Sequence, residues 1–530
     1  MTGVRYGVIR CFLDTPAERS RLAAPRLVPH TAGAALFLYW TAFVSLYPAV
    51  TGLGFRLSAL LESQHVGLAE SEDRNVSFQR FIRTFVRFPV ESDQPPSAGN
   101  NRPGGRTCVG TCCSNNRVVH TQLYDYMTTN NILSEVQSGF RPGHSTQTAV
   151  HLLTERWYKA MNEGKLTGAV FIDLSKAFDT LDHTTLLQKM SRYGIQGPAL
   201  DWFQSYLTGR KHCTSINGAT SEFHQAKYGV SQGSILGPLL FIIYVNDMPE
   251  CLQSCDIPMY ADDTFIYYSN KDFTNIENVL QNDLQRLSQW FAANSLSMNG
   301  DKCKSMLIGT NRRLANCNIP NLAVNGVNLK TCDKYTYLGV VIDRQLKWKD
   351  QAKAVLGKLR RSLFMMKHLN PFIPTSALCT LYNAIFLPHI TYACTAWEAA
   401  PDQDLQKIQS MQNRAGKLIL EAPHRTPSTE VFSRLNWKDI KETLQYYNAV
   451  QTYKALNNKL PPYMRQMFVY GRDQSTRTAR QSTSSQLVVP KPKREIFRRS
   501  VAYRGPNVWN SLPPDTRTAP NLTSFKRLLK

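Results

Sequence analysis

Two consecutive aspartates, Asp262 and Asp263, lie between two short runs that favour β-structure, residues 255–260 and 264–268. The second run, TFIYY, consists of β-branched and aromatic residues, which are typical of strands. A strand, a tight turn and a second strand would place both carboxylates at the tip of a hairpin. Adjacent carboxylates raise each other's pKa unless a cation lies between them. The pattern predicts either a cation-binding turn or an ordinary Asp-Asp surface turn.

A third carboxylate, Asp173, follows the continuous apolar run 169–172, which is typical of a buried strand. At the end of such a strand a side chain can leave the sheet and face a cleft. Asp182, a few residues later, is predicted to cap the following helix. If the fold brings Asp173 beside Asp262, the chain has the oxygen ligands for two Mg²⁺ ions. Such ions clamp the attacking and leaving oxygens of a phosphoryl transfer.

Five segments of the chain carry a resemblance to a known family. They are residues 137–146 (QSGFRPGHST), the Asp173 segment 168–179, residues 229–238 (GVSQGSILGP), 260–263 (YADD) and 337–340 (YLGV). Their order resembles that of the reverse transcriptases of non-LTR (LINE-type) retrotransposons, in particular the jockey-like groups. Any one segment alone would be weak, so the resemblance depends on all five standing in register. It runs from about Val118 to the C-terminus.

The resemblance implies an α+β fold: a right-hand polymerase with an antiparallel-sheet palm, partial fingers and a helical thumb. It implies an RNA-directed DNA polymerase that adds deoxynucleotides to a primer 3′-hydroxyl with Mg²⁺ or Mn²⁺. Asp173, Asp262 and Asp263 are the implied catalytic metal ligands, and Asp263 is the most dispensable of the three in the family. The implied partners are an RNA template, a DNA primer and deoxynucleoside triphosphates, and no obligate protein partner is inferred.

Four further residues are predicted from the resemblance to contact the incoming nucleotide. Phe178, five positions after Asp173, would lie under the sugar and leave no room for a 2′-hydroxyl; the alternative is a core phenylalanine. Gly233 would allow close backbone approach to a base pair, and Gln232 would hydrogen-bond to template or nucleotide, unless both are only part of a turn. Lys302 is a candidate general acid for pyrophosphate departure, with a solvated lysine as the alternative.

Template and primer contacts are predicted at two loops. Arg141, in the 137–146 loop, is a candidate nucleic-acid contact, although a simple loop residue would look the same in the sequence. Tyr337, Leu338 and Gly339 resemble the hairpin that grips the primer terminus in the family.

The charge balance of the chain favours a polyanionic partner. The 530 residues include 62 Lys+Arg and 39 Asp+Glu, a formal net charge of +23, and such an excess attracts nucleic acid. A merely soluble basic protein is the alternative. The 12 cysteines show no disulfide-like spacing, which favours a reducing compartment, the nucleus or the cytoplasm. Cys108, Cys112, Cys113 and His120 fit zinc-ligand spacing poorly and are interpreted as unrelated to metal binding.

Residues 1–117 resemble nothing that can be placed. Five arginines precede an uncharged stretch whose apolar part, residues 34–54, has the length of a membrane span with a cytoplasmic arginine-rich flank. Membrane anchoring through this segment is one interpretation; a buried segment or one without a role is the other. Residues 95–105, rich in Pro, Gly, Asn and Ser, are predicted to form a linker.

The remaining chain is predicted to contain three parts: a fingers remnant and palm over 118–345, a helical thumb over 346–464, and a basic extension over 465–530. The extension carries fourteen Lys/Arg and three acidic residues, so it is interpreted as an RNA-binding segment or a solvated basic tail. The family's fingers motif, Asn-Tyr-Arg-Pro-Ile, whose arginine holds the triphosphate, is not found in 1–117, and neither is an upstream endonuclease. The alternative function is therefore a catalytically impaired retrotransposon remnant that only binds nucleic acid.

Overall fold

The computed structural model describes residues 109–216, 219–300, 302–318, 320–471 and 485–529, with backbone only at 109–115 and 215–219. The predictions for the apolar stretch 34–54, the linker 95–105 and Cys108 lie outside the described residues, as do the side chains of Cys112 and Cys113. Contacts divide the chain into two units, residues 1–115 with 181–231 and residues 116–180 with 232–530.

The helices are numbered in chain order. They are α1 Val109–Thr129, α2 Thr146–Asn162, α3 His183–Arg192, α4 Pro198–Leu207, α5 Gly237–Tyr244, α6 Phe273–Ala293, α7 Asn311–Leu314, α8 Lys349–Leu369, α9 Thr375–Leu381, α10 Leu387–Thr391, α11 Cys394–Trp397, α12 Asp402–Ile419, α13 Ser428–Leu435, α14 Ile440–Leu456, α15 Pro462–Arg465, α16 Val501–Ser511, α17 Pro514–Arg517 and α18 Leu522–Leu528. Short 3₁₀ helices lie at Met248–Cys251, Asn370–Phe372 and Glu495–Arg499, and a π-helical turn lies at Tyr382–Phe386.

The strands are numbered in the same way. They are β1 Leu166–Ile172, β2 Lys211–His212, β3 Ser215–Ile216, β4 Ala219–Thr220, β5 His224–Gln225, β6 Met259–Tyr260, β7 Asp263–Asn270, β8 Lys304–Ile308, β9 Ala323–Val324, β10 Val327–Asn328, β11 Lys330–Thr331, β12 Lys334–Tyr337 and β13 Val340–Asp343.

The described part of the first unit contains α3, α4 and two small antiparallel pairs, β2 with β5 and β3 with β4. Asp182 caps α3, because its Oδ1 accepts a 2.7 Å hydrogen bond from the Thr185 backbone N–H. The predicted capping role is confirmed. His183 and Gly229 fix the chain that returns past this cap: the His183 ring nitrogen Nε2 lies 2.8 Å from the Gly229 carbonyl oxygen.

A five-stranded sheet with the order β11-β8-β1-β7-β6 forms the centre of the second unit. The central strand β1 is antiparallel to both β7 and β8, as predicted for a palm. The edge strand β11, however, runs parallel to β8, so the sheet is mixed rather than wholly antiparallel. All seven residues of β1 are buried, which explains the continuous apolar run 169–172 at its end.

Helices α2 and α6 cover this sheet. Helix α6 buries the apolar stripe expected from its sequence, residues Ile276, Leu280, Leu284, Leu287 and Phe291, while Val279 and Trp290 are only partly buried. From α2, the buried Trp157 makes edge contacts with Phe265 and Tyr267 of β7, at ring-centroid distances of 6.2 Å. The fold class predicted from the sequence, α+β with a palm sheet, is confirmed.

Beyond β13 the second unit is helical. Helix α8 has an apolar face at helical spacing, because Val355, Leu359 and Met366 are buried and Leu363 packs beside them. These side chains belong to one hydrophobic cluster that also includes sheet residues such as Phe171 and Phe265. The palm core and the helical core are therefore continuous.

The basic C-terminal extension folds against the second unit. Trp509 of α16 and Phe525 of α18 pack with Tyr453 of α14 in a second hydrophobic cluster. Arg504 of α16 forms a 2.5 Å ion pair with the buried Glu398, and the Glu155 Oε2 of α2 accepts a hydrogen bond from the Ala502 backbone N–H. For the described residues of this segment, the interpretation as a solvated tail does not hold.

None of the described helices has the length and apolar character needed to cross a membrane. The eight cysteines whose side chains are described are all free thiols.

Candidate active site

The aspartate pair lies at the tip of a hairpin, as predicted, with Asp262 in the turn and Asp263 as the first residue of β7. Tyr260 of β6 pairs with Asp263 of β7, so Ala261 and Asp262 form the turn. Ala261 has φ +57°, a left-handed conformation that two-residue hairpins require and glycine usually supplies. The first predicted strand is shorter than expected, because only Met259 and Tyr260 form β6, although Asp256 makes a separate antiparallel bridge to Tyr267 of β7.

The register of the sheet brings Asp173 to the same place. Ile172, the last residue of β1, pairs with Thr264 of β7. The next residue along β1 and the preceding residue of β7 are Asp173 and Asp263, so these two carboxylates meet at one end of the central strand pair. The juxtaposition expected from the sequence is therefore present.

Protein atoms around the turn raise the pKa values of its carboxylates. Burial raises the pKa of Asp263 to about 6, and the charges of Asp262 and Asp173 add to this effect. Burial also raises the pKa of Asp262, and the charge of Asp173 contributes. Both side chains are nevertheless accessible to solvent. A cation among the three carboxylates would relieve their mutual repulsion and lower these pKa values.

The three carboxylates supply oxygen donors of the kind that divalent metal ions bind. Among the described residues, no group of three or more His, Cys, Asp or Glu side chains forms a self-sufficient metal cluster. Magnesium commonly binds through one or two carboxylates together with waters and substrate phosphates, since it rarely uses an all-protein cage. Asp173, Asp262 and Asp263 offer hard oxygen donors of this kind on an accessible edge.

Lys302 lies at this carboxylate cluster. Its Nζ is 3.4 Å from the Asp173 Oδ2, and 66% of its side chain is exposed. The loop that carries it is fixed to the end of β1 because the Asn299 backbone N–H donates to the Asp173 carbonyl oxygen at 2.8 Å. Lys302 is thus an ion-pair partner at the site rather than a lysine solvated on all sides, and its role as a general acid stays a prediction.

The 137–146 loop holds the turn from behind, which the sequence did not reveal. Gln137 is 2% exposed, and its Oε1 accepts hydrogen bonds from the backbone N–H groups of Gly139 (2.7 Å) and Ala261 (2.8 Å). A Cβ at Gly139 would lie 2.3 Å from the Ala261 nitrogen, so only glycine permits this approach. The Ser138 N–H also donates to the Met259 carbonyl oxygen at 2.8 Å.

Arg141 makes contacts inside its own loop. Its Nη1 donates to the carbonyl oxygens of Ser134 (2.8 Å) and Gln137 (3.3 Å). In this structure the guanidinium therefore braces the loop that carries Gln137. Its contact with a template stays a prediction.

The predicted nucleotide-contacting residues Phe178 and Gln232 come from separate segments that meet. The half-buried Phe178 ring stacks on Phe241 of α5 with centroids 4.3 Å apart. The Gln232 Nε2 donates a 3.0 Å hydrogen bond to the Oδ1 of Asp179, the residue that follows Phe178. Gly233 has φ +81° and open space where a Cβ would point. Their proposed nucleotide contacts are not tested by this arrangement.

The 337–340 segment forms the expected hairpin between β12 and β13. Tyr337 pairs with Val340, and the turn residues Leu338 and Gly339 have φ +47° and +77°. Tyr392 braces the turn, since its hydroxyl donates to the Leu338 carbonyl oxygen at 2.7 Å. The Tyr337 side chain is 3% exposed, so it is a core residue and offers no side-chain surface to a primer.

The chain is similar to several known proteins. The family described as "Reverse transcriptase (RNA-dependent DNA polymerase)" matches residues 97–342. The "Probable RNA-directed DNA polymerase from transposon X-element" of Drosophila melanogaster is 26% identical over 65% of this chain and 39% of its own length. The corresponding protein from transposon BS is 29% identical over 63% of this chain and 38% of its own length.

The "RNA-directed DNA polymerase from mobile element jockey" of Drosophila melanogaster is 27% identical over 65% of this chain. This chain spans about 38–39% of the length of these curated relatives. Among solved structures, apo telomerase from Candida tropicalis is similar with a TM-score of 0.35 at 10% identity, over 67% of this chain and 55% of that chain.

Residues 97–342, which include the β1–β7 pair and its three carboxylates, match the reverse transcriptase family. The chain is similar to the RNA-directed DNA polymerases of the jockey, X-element and BS mobile elements, which supports a likeness to jockey-like non-LTR retrotransposon reverse transcriptases. The resemblance seen in the sequence is confirmed.

Proposed function

We propose that this chain is an RNA-directed DNA polymerase that adds deoxynucleotides to the 3′-hydroxyl of a DNA primer on an RNA template. The observation that carries the proposal is the meeting of Asp173 with Asp262 and Asp263 at one end of the β1–β7 pair. Reverse transcriptases as a family use divalent metals, and these three residues would hold Mg²⁺ or Mn²⁺ here. The bound metal would neutralise charge on the triphosphate and the attacking oxygen.

The protein's own part in this reaction is positioning. Phosphoryl transfer needs little covalent chemistry from the protein, so a fixed arrangement of charged groups supplies most of the effect. Strand β1 fixes Asp173 and the Gln137 loop fixes the turn. Lys302 Nζ stands beside Asp173, where it can neutralise the carboxylate before substrate binds and can approach the leaving pyrophosphate afterwards.

A primer-extension assay with Asp262→Asn tests the proposal. The substitution keeps the side-chain shape and removes the charge that holds the metal. We expect extension of a DNA primer on an RNA template to require Mg²⁺ or Mn²⁺, and to fall by at least ~100-fold in Asp262→Asn, about 2.7 kcal/mol of barrier. RNA affinity, measured by fluorescence anisotropy, should be unchanged or slightly higher, because the variant is less negative at the site.

Two outcomes would contradict the proposal. If Asp262→Asn extends primers as fast as the parent protein, the carboxylates do not hold the catalytic metal. If the unaltered chain binds RNA but adds no nucleotide, the second candidate function applies: a nucleic-acid-binding retrotransposon remnant. The lack of the fingers motif in 1–117 is consistent with that function.

We further propose the nucleus or the cytoplasm as the compartment, which agrees with the free thiols of the described cysteines.

A further inference from the structure

A basic cavity lies at the far end of the strand that carries Asp173. Its volume is about 490 Å³, and it is lined by Asn162, Glu163, Lys165, Lys271, Lys493 and Arg494. Lys165 precedes β1 and Lys271 follows β7, at the opposite end of the strand pair from the carboxylates. Seven residues of extended chain separate the two ends, on the order of 20 Å.

The cavity combines segments that are distant in the sequence. The C-terminal end of α2 receives the Lys493–Arg494 backbone, because the Asn162 Oδ1 accepts hydrogen bonds from both N–H groups at 2.9 Å. Gly164 has φ +78°, and a Cβ there would lie 2.6 Å from the Arg494 Nη2. Only glycine at position 164 therefore leaves room for the Arg494 guanidinium. The backbone of Lys493 and Arg494 is therefore fixed to the end of α2 by the Asn162 side chain.

The charges around the cavity are unbalanced. Its single carboxylate, Glu163, pairs with Lys165 at 2.8 Å. That hydrogen bond, together with the charges of Lys165, Lys159 and Lys493, holds the Glu163 pKa below its usual value. Within the described part of the chain, Lys271, Lys493 and Arg494 have no carboxylate within 4.0 Å. Arg313 adds a fifth positive group nearby, because its Nη2 donates to the Lys271 carbonyl oxygen.

We propose that this cavity binds phosphodiester groups of the RNA template at a distance from the reacting 3′ end. The inference rests on the proposed function, which identifies the bound nucleic acid as the RNA template. The ligand chemistry is argued from the cavity: every lining residue has a polar or charged side chain, the cations are exposed and the one acid is paired, so the site suits phosphate oxygens. Arg494 supplies a planar fork that can bind a phosphate through two hydrogen bonds, and the lysines act as point charges.

The test compares three variants in equilibrium binding without nucleotides, by fluorescence anisotropy. The first is Lys271→Gln/Lys493→Gln/Arg494→Gln. The second is a control with the same charge change at exposed residues elsewhere, Lys459→Gln/Lys526→Gln/Arg425→Gln. The third is Asn162→Ala, which changes no charge and removes only the acceptor that holds the Lys493–Arg494 backbone. Each is measured with a short primer–template that covers the carboxylate end, with RNA that extends well beyond it, and with DNA of the same extended sequence.

We expect the first variant to lose roughly 10- to 100-fold in affinity for the extended RNA, with a salt dependence lower by about two to three phosphate contacts. The control should lose much less. Asn162→Ala should weaken extended-RNA binding about three- to tenfold through lost positioning. None of the three should change binding of the short primer–template by more than about twofold.

Equal losses in the first variant and the control would overturn the site, because they would show a diffuse charge effect. A loss of affinity confined to the DNA would overturn the assignment to template RNA. An unchanged RNA affinity in Asn162→Ala would show that the Asn162 hydrogen bonds do not position the cations for binding. Failure of the polymerase proposal is distinguishable from all of these, since it would abolish extension by the unaltered chain while leaving these binding differences in place.

Discussion

At the scale of single residues, the site depends on the backbone conformation of Ala261, which the alanine side chain disfavours. Ala261 adopts φ +57° next to Asp262, and a residue other than glycine in this region is held there by its surroundings. The Gln137 Oε1 supplies that restraint through its hydrogen bond to the Ala261 N–H. Gln137 is therefore a positioning residue for Asp262 rather than a group that meets the substrate.

Replacing Gln137 should separate positioning from general stability. In Gln137→Met two buried N–H groups lose their acceptor and the turn can relax, so we expect single-turnover extension to slow by about 10- to 100-fold and the Mg²⁺ requirement to rise. Adding Ala261→Gly should recover part of the rate, because glycine adopts positive φ without strain. The measurement is a Mg²⁺ titration of primer extension for the parent, single and double variants. A slower enzyme with an unchanged Mg²⁺ profile and no recovery would mean that Gln137 only stabilises the fold.

Phe178 permits a test of sugar selection. The ring is half-buried and stacked on Phe241, with Phe140 at its edge 6.1 Å away. If Phe178 lies under the sugar, Phe178→Ala should raise ribonucleotide incorporation relative to deoxynucleotide incorporation by about tenfold, equivalent to 1.4 kcal/mol. Phe140→Ala, which removes a neighbouring exposed ring, is the control. The ratio is read from competition primer extension, and an equal change in both variants would return Phe178 to a packing role.

At the scale of elements, helix α16 of the C-terminal extension is joined to the rest of its unit by a buried charge. Glu398 is 3% exposed at its side chain and pairs with Arg504 at 2.5 Å, and it also accepts a 2.7 Å hydrogen bond from Asn448 Nδ2. Burial raises the pKa of Glu398 to about 7, although Arg504 and Asn448 oppose the shift. A raised folded-state pKa means that protonation favours the folded form, so this group contributes stability at low pH that is lost as the pH rises through 7.

Removing Arg504 should therefore destabilise the protein more at high pH than at low pH. Arg504→Met leaves an uncompensated buried carboxylate at pH 8, where we expect a loss of about 3 kcal/mol in the free energy of unfolding. Near pH 5.5 the carboxyl is protonated and the loss should be clearly smaller. Urea unfolding at both pH values measures the difference. The double variant Arg504→Met/Glu398→Gln should recover most of the loss at pH 8, and a loss that is the same at both pH values would contradict the buried-charge explanation.

At the scale of the whole molecule, features set by short runs of sequence were predictable, and features set by contacts between distant residues were not. The hairpin of Asp262, the buried strand before Asp173 and the cap at Asp182 follow from short runs of residue types, so they were predictable. The bracing of Ala261 by Gln137 joins residues 124 positions apart, and the parallel edge strand β11 has only two residues. Neither leaves a periodic pattern. The burial of the Tyr337 side chain was not predictable, because a hairpin sequence shows its turn residues but not which flanking side chain enters the core.

The link between Glu155 and Ala502 has a consequence for how the protein is made. The two residues are 347 positions apart in the chain, and at typical synthesis rates of about 5–20 residues per second the second emerges roughly 17–70 s after the first. Helix α2, which begins in the loop behind the carboxylate turn, therefore lacks this partner for Glu155 until the segment around Ala502 has been synthesised. Chains that stop before Ala502, even those that include every carboxylate of the site, would expose that acid and the apolar surface beside it to chaperones and proteases. Quality control by the cell would thus favour chains that include this segment before any nucleic acid is bound.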